Sequence, residues 1–437
     1  MAELIYDKTG RLLFTKAMKE EYTLLMPQML PVTFEMMKMV FEQYGYKIDV
    51  LETSHRGIVE TGLKYVHNDT CYPALLVIGQ LIEAVNSGKY DKNKIGLLIT
   101  QTGGGCRASN YIHLLRKALL RAGLEHIPVV SVNLSGLERN PGFSLKLPLV
   151  RRLVGAMLYG DLLLWLRNQC LPYETLPGAT DKLTTHWTDR IVSQLAGGVG
   201  LRKKEMRRCM DEICADFAKV RRSGVGTKPR VGVVGEIYVK YAPLGNNGLE
   251  DFLLREGCEP VVPGLCDFML FKINNRVVDV DLYHGSKAKK LAAGIFQRYI
   301  EGLQRTMIEA VETQPSFRPM GSFADLRCLI RGYLGYGNKM GEGWLLTAEM
   351  LELIYTGTNN IVCTQPFGCL PNHVVGKGMI RRLKDDYPDS NIVAIDYDPG
   401  ATKINQENRI KLMLSNAALS VTLDHSEPQG AAASGGV

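Results

Sequence analysis

The 437-residue chain contains 46% hydrophobic and 22% charged residues and carries a formal net charge of +7, a composition typical of a globular protein with two domains. No apolar run reaches the roughly 20 residues that a membrane-spanning helix needs, and the first segment, MAELIYDKTGRLLF, lacks the layout of a signal peptide. We therefore expect a cytoplasmic protein without a membrane partner. In that reducing compartment the ten cysteines are not expected to form a disulfide framework.

In the first part of the chain, strand-like and helix-like segments alternate. The predicted strands are 22–27, 47–51, 94–100 and 127–134, and the predicted helices between them are 32–46, 57–66, 74–88 and 110–123. Strands separated by helices of this length form βαβ units, which build a parallel, doubly wound sheet. The fold class is therefore α/β.

From about residue 145 to 222 the chain is mostly helical, and the apolar run LVGAMLYGDLLLWL is predicted to be a buried helix interrupted by Asp161. The segment 221–230 is rich in Gly, Pro and basic residues, which indicates an interdomain connection.

The α/β pattern resumes after this connection. The predicted strands are 231–239, 259–264, 267–273, a segment that begins at 360, and 391–398, with helices around 286–311 and 342–356. We predict an N-terminal α/β domain with a helical extension (1–225), a C-terminal α/β domain (230–425) and a disordered tail (426–437).

Basic residues are dense between 202 and 230, and two explanations fit them. The first is a solvated helix face followed by a basic linker, and the second is a docking site for a phosphate-bearing ligand or an acidic partner. Nucleic acid is not an expected partner, because no aromatic residues alternate with these charges. The sequence contains no GxxxxGK[ST] motif, so the chain itself is not a P-loop ATPase.

Three cysteine-bearing loops share one design. Cys71 directly precedes a predicted helix, and Cys106 directly follows a predicted strand. Cys363 and Cys369 flank the turn after another strand. Loops at the carboxyl ends of strands in open α/β sheets converge on ligands, which makes a shared thiolate site possible. The alternative for each cysteine is a small buried side chain.

Glycine and proline accompany the thiols in these loops. Gly104 and Gly105 precede Cys106, and such a turn lets backbone amides approach a bound group closely. Pro366 and Gly368 are expected to hold the last loop in one shape. A thiolate-ligated iron–sulfur cluster is one group that such loops bind. We expect the remaining six cysteines to be structural: Cys170, Cys209, Cys214, Cys258, Cys266 and Cys328.

Three further residues are candidates for acid–base chemistry. His67 and His373 flank the cysteine loops, and each is either a proton donor or a hydrogen-bonded loop residue. Glu236 follows the predicted strand at 231 and is a candidate for a role in a cleft. The segment GYGNKMGEGW only approximates a dinucleotide fingerprint, and a loop that begins a helix is the simpler interpretation. This loop is also a candidate for the lining of the site.

Taken together, the motifs NDTCYPALLVIGQ, TQTGGGCRASNY, VGVVGEIYVKYAPLGNNGLEDFLLREG, GNKMGEGWLL and QPFGCLPNHVVGKGMIRRLK resemble the 2-hydroxyacyl-CoA dehydratase superfamily. The most similar branch is the dehydratase-like module that is associated with ATP-dependent activases. The resemblance extends from about residue 22 to 415 and includes the C-terminal segment NIVAIDYDPGATKINQENRIKLML.

This resemblance implies two Rossmann-like domains with parallel sheets and a helical portion, with a [4Fe–4S] cluster between the domains. Cys71 and Cys106 match the first two ligand loops, and Cys369 is the choice for the third ligand. Cys363 is its competitor or a fourth ligand.

The resemblance also implies a reaction and a partner. A separate ATP-hydrolysing activase supplies one low-potential electron, and the reduced cluster forms a ketyl radical from an acyl-CoA thioester, so that a hydroxyl group is eliminated. Such enzymes are homo- or hetero-oligomers. Some relatives hold a double-cubane cluster and reduce small molecules, and a non-catalytic electron carrier or assembly subunit is the alternative from another class.

Overall fold

The computed structural model describes residues 2–67, 69–101, 105–133, 138–174, 176–220 and 226–424. Gly104, the predicted tail 426–437 and part of the predicted interdomain connection lie outside the described residues. None of the described helices is both long enough and apolar enough to cross a membrane.

The described chain contains eight strands in two four-stranded parallel sheets, as expected for an α/β fold. The first sheet has the order β2-β1-β3-β4 and the second has the order β6-β5-β7-β8. The strands are β1 Thr23–Pro27, β2 Lys47–Leu51, β3 Ile95–Thr100, β4 Val129–Val132, β5 Arg230–Gly235, β6 Glu259–Val261, β7 Asn360–Pro366 and β8 Asn391–Tyr397. The two orders are the same when the strands of each sheet are numbered separately, so β3 and β7 occupy equivalent places.

Helices pack around both sheets. Those of the first part are α1 Lys16–Glu21, α2 Pro31–Gln43, α3 Gly57–Tyr65, α4 Tyr72–Asn86, α5 Tyr111–Arg121, α6 Leu147–Cys170, α7 Ala179–Ala196 and α8 Lys203–Val220. Those of the second part are α9 Ile237–Tyr241, α10 Pro243–Asn246, α11 Leu249–Arg255, α12 Leu265–Tyr283, α13 Lys287–Glu312, α14 Phe323–Leu329, α15 Leu345–Tyr355, α16 Ile380–Asp386 and α17 Lys403–Asp424.

Two strand predictions of the second part are wrong. The segment 267–273 lies within α12, whose buried residues recur at helical spacing up to Val278. A short apolar run cannot by itself distinguish a buried strand from a buried helix. The predicted strand 231–239 ends at Gly235, because Glu236 caps the short helix α9 with its side chain.

The helix α6 connects the two halves of the chain. It contacts α2, α7 and α8 of the first half and β6, α12 and α13 of the second half. Most of its middle residues are buried, from Val154 to Leu163. A helix that is enclosed by other elements is hydrophobic on all sides, which explains why the apolar residues of this segment show no polar face.

Asp161, which interrupts this apolar segment, caps α12 of the second half. Its carboxylate accepts hydrogen bonds from the backbone N–H of Leu265 (2.9 Å) and of Cys266 (2.7 Å). The free N–H groups at the beginning of a helix attract a negative charge. The polar residue therefore links the halves at the cost of burying one carboxyl group.

Replacement of Asp161 by alanine is expected to lower the free energy of unfolding by about 3 kcal/mol, since two buried N–H groups lose their acceptor. Chemical denaturation measures this change. Asp189→Ala is the control, because Asp189 is an exposed residue of α7; its effect is expected to stay below about 0.5 kcal/mol. Equal effects of both substitutions would contradict the capping role.

Candidate functional site

A cavity of about 410 Å³ is lined by residues from both halves of the chain. The first half contributes Cys71, Pro73, Gly105, Cys106, Arg107, Ala108 and Tyr111. The second half contributes Glu236, Ile237, Phe268, Lys272, Met340, Gly341, Glu342, Gly368, Cys369, Leu370, Pro371 and His373. Three of the four cysteines proposed as ligands therefore meet at one place, together with carboxylates, a lysine and a histidine.

The position of Cys71 is set by the beginning of α4 and by the loop of the second half that contains Phe367. It is the N-cap residue of α4, in extended conformation, and Pro73 follows in the first turn. The N–H of Tyr72 donates a 2.9 Å hydrogen bond to the carbonyl of Phe367. Gly368 has φ +72°, and a Cβ atom there would lie 3.0 Å from Cys71 Cα. Glycine is therefore required where the two loops touch.

Each of the three cysteines begins a helical turn, and a backbone N–H two or three residues later acts to lower the pKa of its thiol. These N–H groups belong to Ala74 for Cys71, Ala108 for Cys106 and Asn372 for Cys369. Amide hydrogen bonds of this kind stabilise negative charge on sulfur and tune the potential of thiolate-bound clusters.

Burial nevertheless keeps these thiols protonated. Desolvation raises the pKa of Cys71 to about 12 and also raises the pKa values of Cys106 and Cys369. A buried thiol without a cation is an inert group, whereas a bound metal replaces the proton and stabilises the thiolate. Metal binding at this site would therefore release protons.

Cys363, the fourth candidate ligand, does not line the cavity. It lies on β7, is fully buried, and its sulfur faces Asn372 Oδ1 at 3.8 Å. Burial raises its pKa to about 12. The geometry favours Cys369 over Cys363 as a ligand and gives Cys363 the surroundings of a core residue.

Two carboxylates meet at the wall of the cavity. Glu236 accepts a 2.9 Å hydrogen bond from Val239 N–H, and Glu342 accepts one of 3.1 Å from Ile237 N–H. Burial and the neighbouring Glu342 raise the pKa of Glu236 to about 8. At neutral pH Glu236 therefore retains a proton that it can donate inside the cavity.

The two histidine candidates have different surroundings. His373 lines the cavity from the short π-helix Asn372–Gly376. The His67 side chain is 72% exposed, lies 3.4 Å from the Asp69 carboxylate and does not line the cavity. His67 is therefore better explained as a surface residue than as a proton donor of this site.

The glycine and proline candidates also differ in whether they line the cavity. Gly105 and Gly368 line the cavity, whereas Pro366 is the last residue of β7 and lies outside the lining. Gly104 is outside the described residues.

Sequence reasoning missed Lys272, whereas the loop that contains Met340 and Glu342 was a candidate for the lining of the site. Lys272 lies on α12, within the segment 267–273 that was predicted as a strand, and its ammonium group donates a hydrogen bond to the carbonyl of Gly341. Met340 Sδ accepts a 3.2 Å hydrogen bond from Gly105 N–H of the first half. Gly341 has φ +59°, and a Cβ atom there would lie 3.1 Å from Pro371 Cγ. The glycine-rich motif GNKMGEGW contains this loop, and its glycines indicated a tight turn.

The three cysteines of the cavity come from three separate loops. Within the described ranges, no group of three or more His, Cys, Asp or Glu side chains is placed to hold a single metal ion. An iron–sulfur cluster has several iron atoms, and its thiolate ligands bind different irons, so they surround a volume instead of converging on one point. Three thiols around one cavity fit that requirement.

No family model matches this chain, and the search of curated proteins finds no significant match. The chemistry of the cavity is therefore the basis of the functional assignment.

Proposed function

We propose that this protein is a [4Fe–4S]-dependent reductive enzyme of the 2-hydroxyacyl-CoA dehydratase type. The observation that carries the proposal is the convergence of Cys71, Cys106 and Cys369, from three separate loops and both halves of the chain, on one cavity. The resemblance of the five loop motifs to that superfamily supports the same assignment.

Cys71, Cys106 and Cys369 would hold the cluster, and the backbone amides of the next turn would stabilise their sulfurs. When bound, such a cluster supplies one-electron transfer at low potential. Three protein ligands leave one iron without a thiolate. The substrate would bind in the remaining volume, beside Phe268 and Leu370.

Glu236 and His373 would donate and accept protons in this site. Loss of a hydroxyl group as water requires a proton at the departing oxygen, and the Glu236 carboxyl retains one because its pKa is raised to about 8. His373 lines the same cavity and is a second proton donor or acceptor. These acid–base groups favour an enzyme over a carrier that only relays electrons.

The electrons would come from a separate chain. The sequence lacks the phosphate-binding loop of an ATPase, and a strongly reducing electron has to be driven by another reaction. We assign this role to an ATP-hydrolysing activase, which would approach the cluster from the mouth of the cavity. Oligomerisation with itself or with a second subunit is compatible with this arrangement.

Iron and sulfide analysis of anaerobically purified protein tests the proposal. We expect about four irons per chain, whereas about eight would support a double-cubane reductase of a small substrate. A chain without iron after reconstitution would overturn both assignments. With Cys328→Ser, which changes an exposed cysteine, the iron content is expected to stay unchanged.

Electron paramagnetic resonance then distinguishes an enzyme from a carrier. Addition of a 2-hydroxyacyl-CoA to the reduced protein is expected to change the spectrum, because the substrate binds beside the cluster. An unchanged spectrum with every acyl-CoA tried, in a protein that holds its iron, would favour the electron carrier.

A further inference from the structure

Tyr111 makes a side-chain contact with one of the three cavity cysteines. Its hydroxyl oxygen lies 2.8 Å from Cys71 Sγ. Tyr111 is the first residue of α5, whereas Cys71 caps α4, so the contact joins two separate elements of the first half. Tyr111 also lines the cavity. The hydrogen bond is therefore part of the wall that surrounds the proposed cluster.

Whether Tyr111 or Cys71 donates this hydrogen bond depends on whether the Cys71 sulfur carries a proton. A thiol and a hydroxyl can each donate to the other. A sulfur that binds iron has no proton, so the Tyr111 hydroxyl must then donate to it. The contact becomes a charge-assisted hydrogen bond, which is stronger than a bond between neutral groups.

This contact distinguishes Cys71 from the other two cysteines. For each of the three cysteines, a backbone N–H of the following turn favours negative charge on the sulfur. Among the described residues, only Cys71 of the three has an additional hydroxyl donor. The three ligand positions are therefore unequal.

We propose that Tyr111 is a positioning residue that orients the Cys71 sulfur and stabilises negative charge on it, and thereby raises the reduction potential of the cluster. This inference rests on the proposed function. The physical reason is that the reduced cluster carries one more negative charge than the oxidised one, so a hydrogen-bond donor to its sulfur stabilises the reduced form more.

The test is Tyr111→Phe, which removes one oxygen atom and keeps the ring. Tyr90→Phe is the matched control, because the Tyr90 hydroxyl donates a 2.6 Å hydrogen bond to Asp49 and does not contact a cavity cysteine. The wild type and both variants are reconstituted anaerobically with iron and sulfide. Iron per chain, thermal unfolding and the midpoint potential from a spectroscopic redox titration are then measured.

We expect Tyr111→Phe to keep its iron and to have a midpoint potential more negative than those of the wild type and of Tyr90→Phe. Loss of iron from Tyr111→Phe alone, with unchanged thermal unfolding, would support the positioning part of the role. An unchanged potential with full iron would overturn the inference and leave the proposed function intact. Absence of iron from the wild type would overturn the proposed function and this inference together.

Discussion

Replacement of Cys369 by serine is expected to abolish most of the iron content, whereas replacement of Cys363 is expected to leave it unchanged. Cys369 lines the cavity together with Cys71 and Cys106, and Cys363 is enclosed on β7 outside it. Two remaining thiolates cannot hold a cluster firmly, and a serine hydroxyl is a poor ligand for iron at neutral pH. The measurement is iron and sulfide per chain after anaerobic reconstitution.

The Cys363→Ser variant is also expected to be less stable than the wild type. Cys363→Ser places a hydroxyl in a fully buried position, which is expected to cost about 1–2 kcal/mol of unfolding free energy. Far-ultraviolet circular dichroism of both proteins verifies that they are folded. Iron retained in Cys369→Ser and lost from a folded Cys363→Ser would reverse the assignment of the third ligand.

Replacement of Lys240 by methionine is expected to lower the free energy of unfolding by about 3–5 kcal/mol, the effect of breaking a buried ion pair. Lys240 Nζ lies 2.9 Å from Glu349 Oε1, and the two side chains are 4% and 2% exposed. The positive charge of Lys240 also acts on Asp161 and Asp267, both of which are buried. Removal of the Lys240 charge leaves the buried carboxyl groups of Glu349, Asp161 and Asp267 without their shared cation.

The loss of unfolding free energy in Lys240→Met is expected to increase as the pH rises. Burial raises the pKa of Asp161 to about 6 and that of Asp267 to about 7, so in the folded protein both carboxyl groups are mostly protonated at pH 5 and mostly ionised at pH 8. Raised carboxyl pKa values mean that stability falls as the pH rises from about 4 to about 7. Without Lys240 these pKa values rise further, so the difference between wild type and variant should be larger at pH 8 than at pH 5.

Lys403→Met is the control for this experiment. Lys403 lies 3.8 Å from Glu407 in a partly exposed pair on α17, and such a surface pair contributes at most about 1 kcal/mol. Urea denaturation at pH 5 and pH 8 gives the free energies of unfolding. A Lys240→Met protein as stable as Lys403→Met at pH 8 would show that the buried charges are compensated in another way.

The sheets could be predicted from the sequence because their strands are short apolar runs separated by amphipathic helices. The predicted strands 47–51 and 94–100 correspond closely to β2 and β3. The placement of Cys106 and Cys369 after strands was also informative, since carboxyl ends of parallel strands lie on one edge of a sheet. The equivalence of β3 and β7 places these two cysteines after corresponding strands.

Other features of the site and of the fold could not be predicted from the sequence, because they depend on tertiary structure. Lys272 was missed because the local apolar run 267–273 resembles a strand, and only the longer spacing to Val278 indicates α12. The choice between Cys363 and Cys369 was open, because six residues of sequence separation do not show which side chain faces the cavity. The capping role of Asp161 joins residues 104 positions apart, and no local pattern predicts such a contact.

The division of the three cysteines between the halves has a consequence for biosynthesis. Cys71 and Cys106 leave the ribosome long before Cys369, so a nascent chain holds only two of the three sulfurs until the second sheet is nearly complete. The proposed cluster, with its three cysteine ligands, could then be inserted only after translation of residue 369. The chain would therefore begin to fold before the proposed cluster is bound, and the link between α6 and α12 through Asp161 provides an attachment between the halves that does not depend on iron.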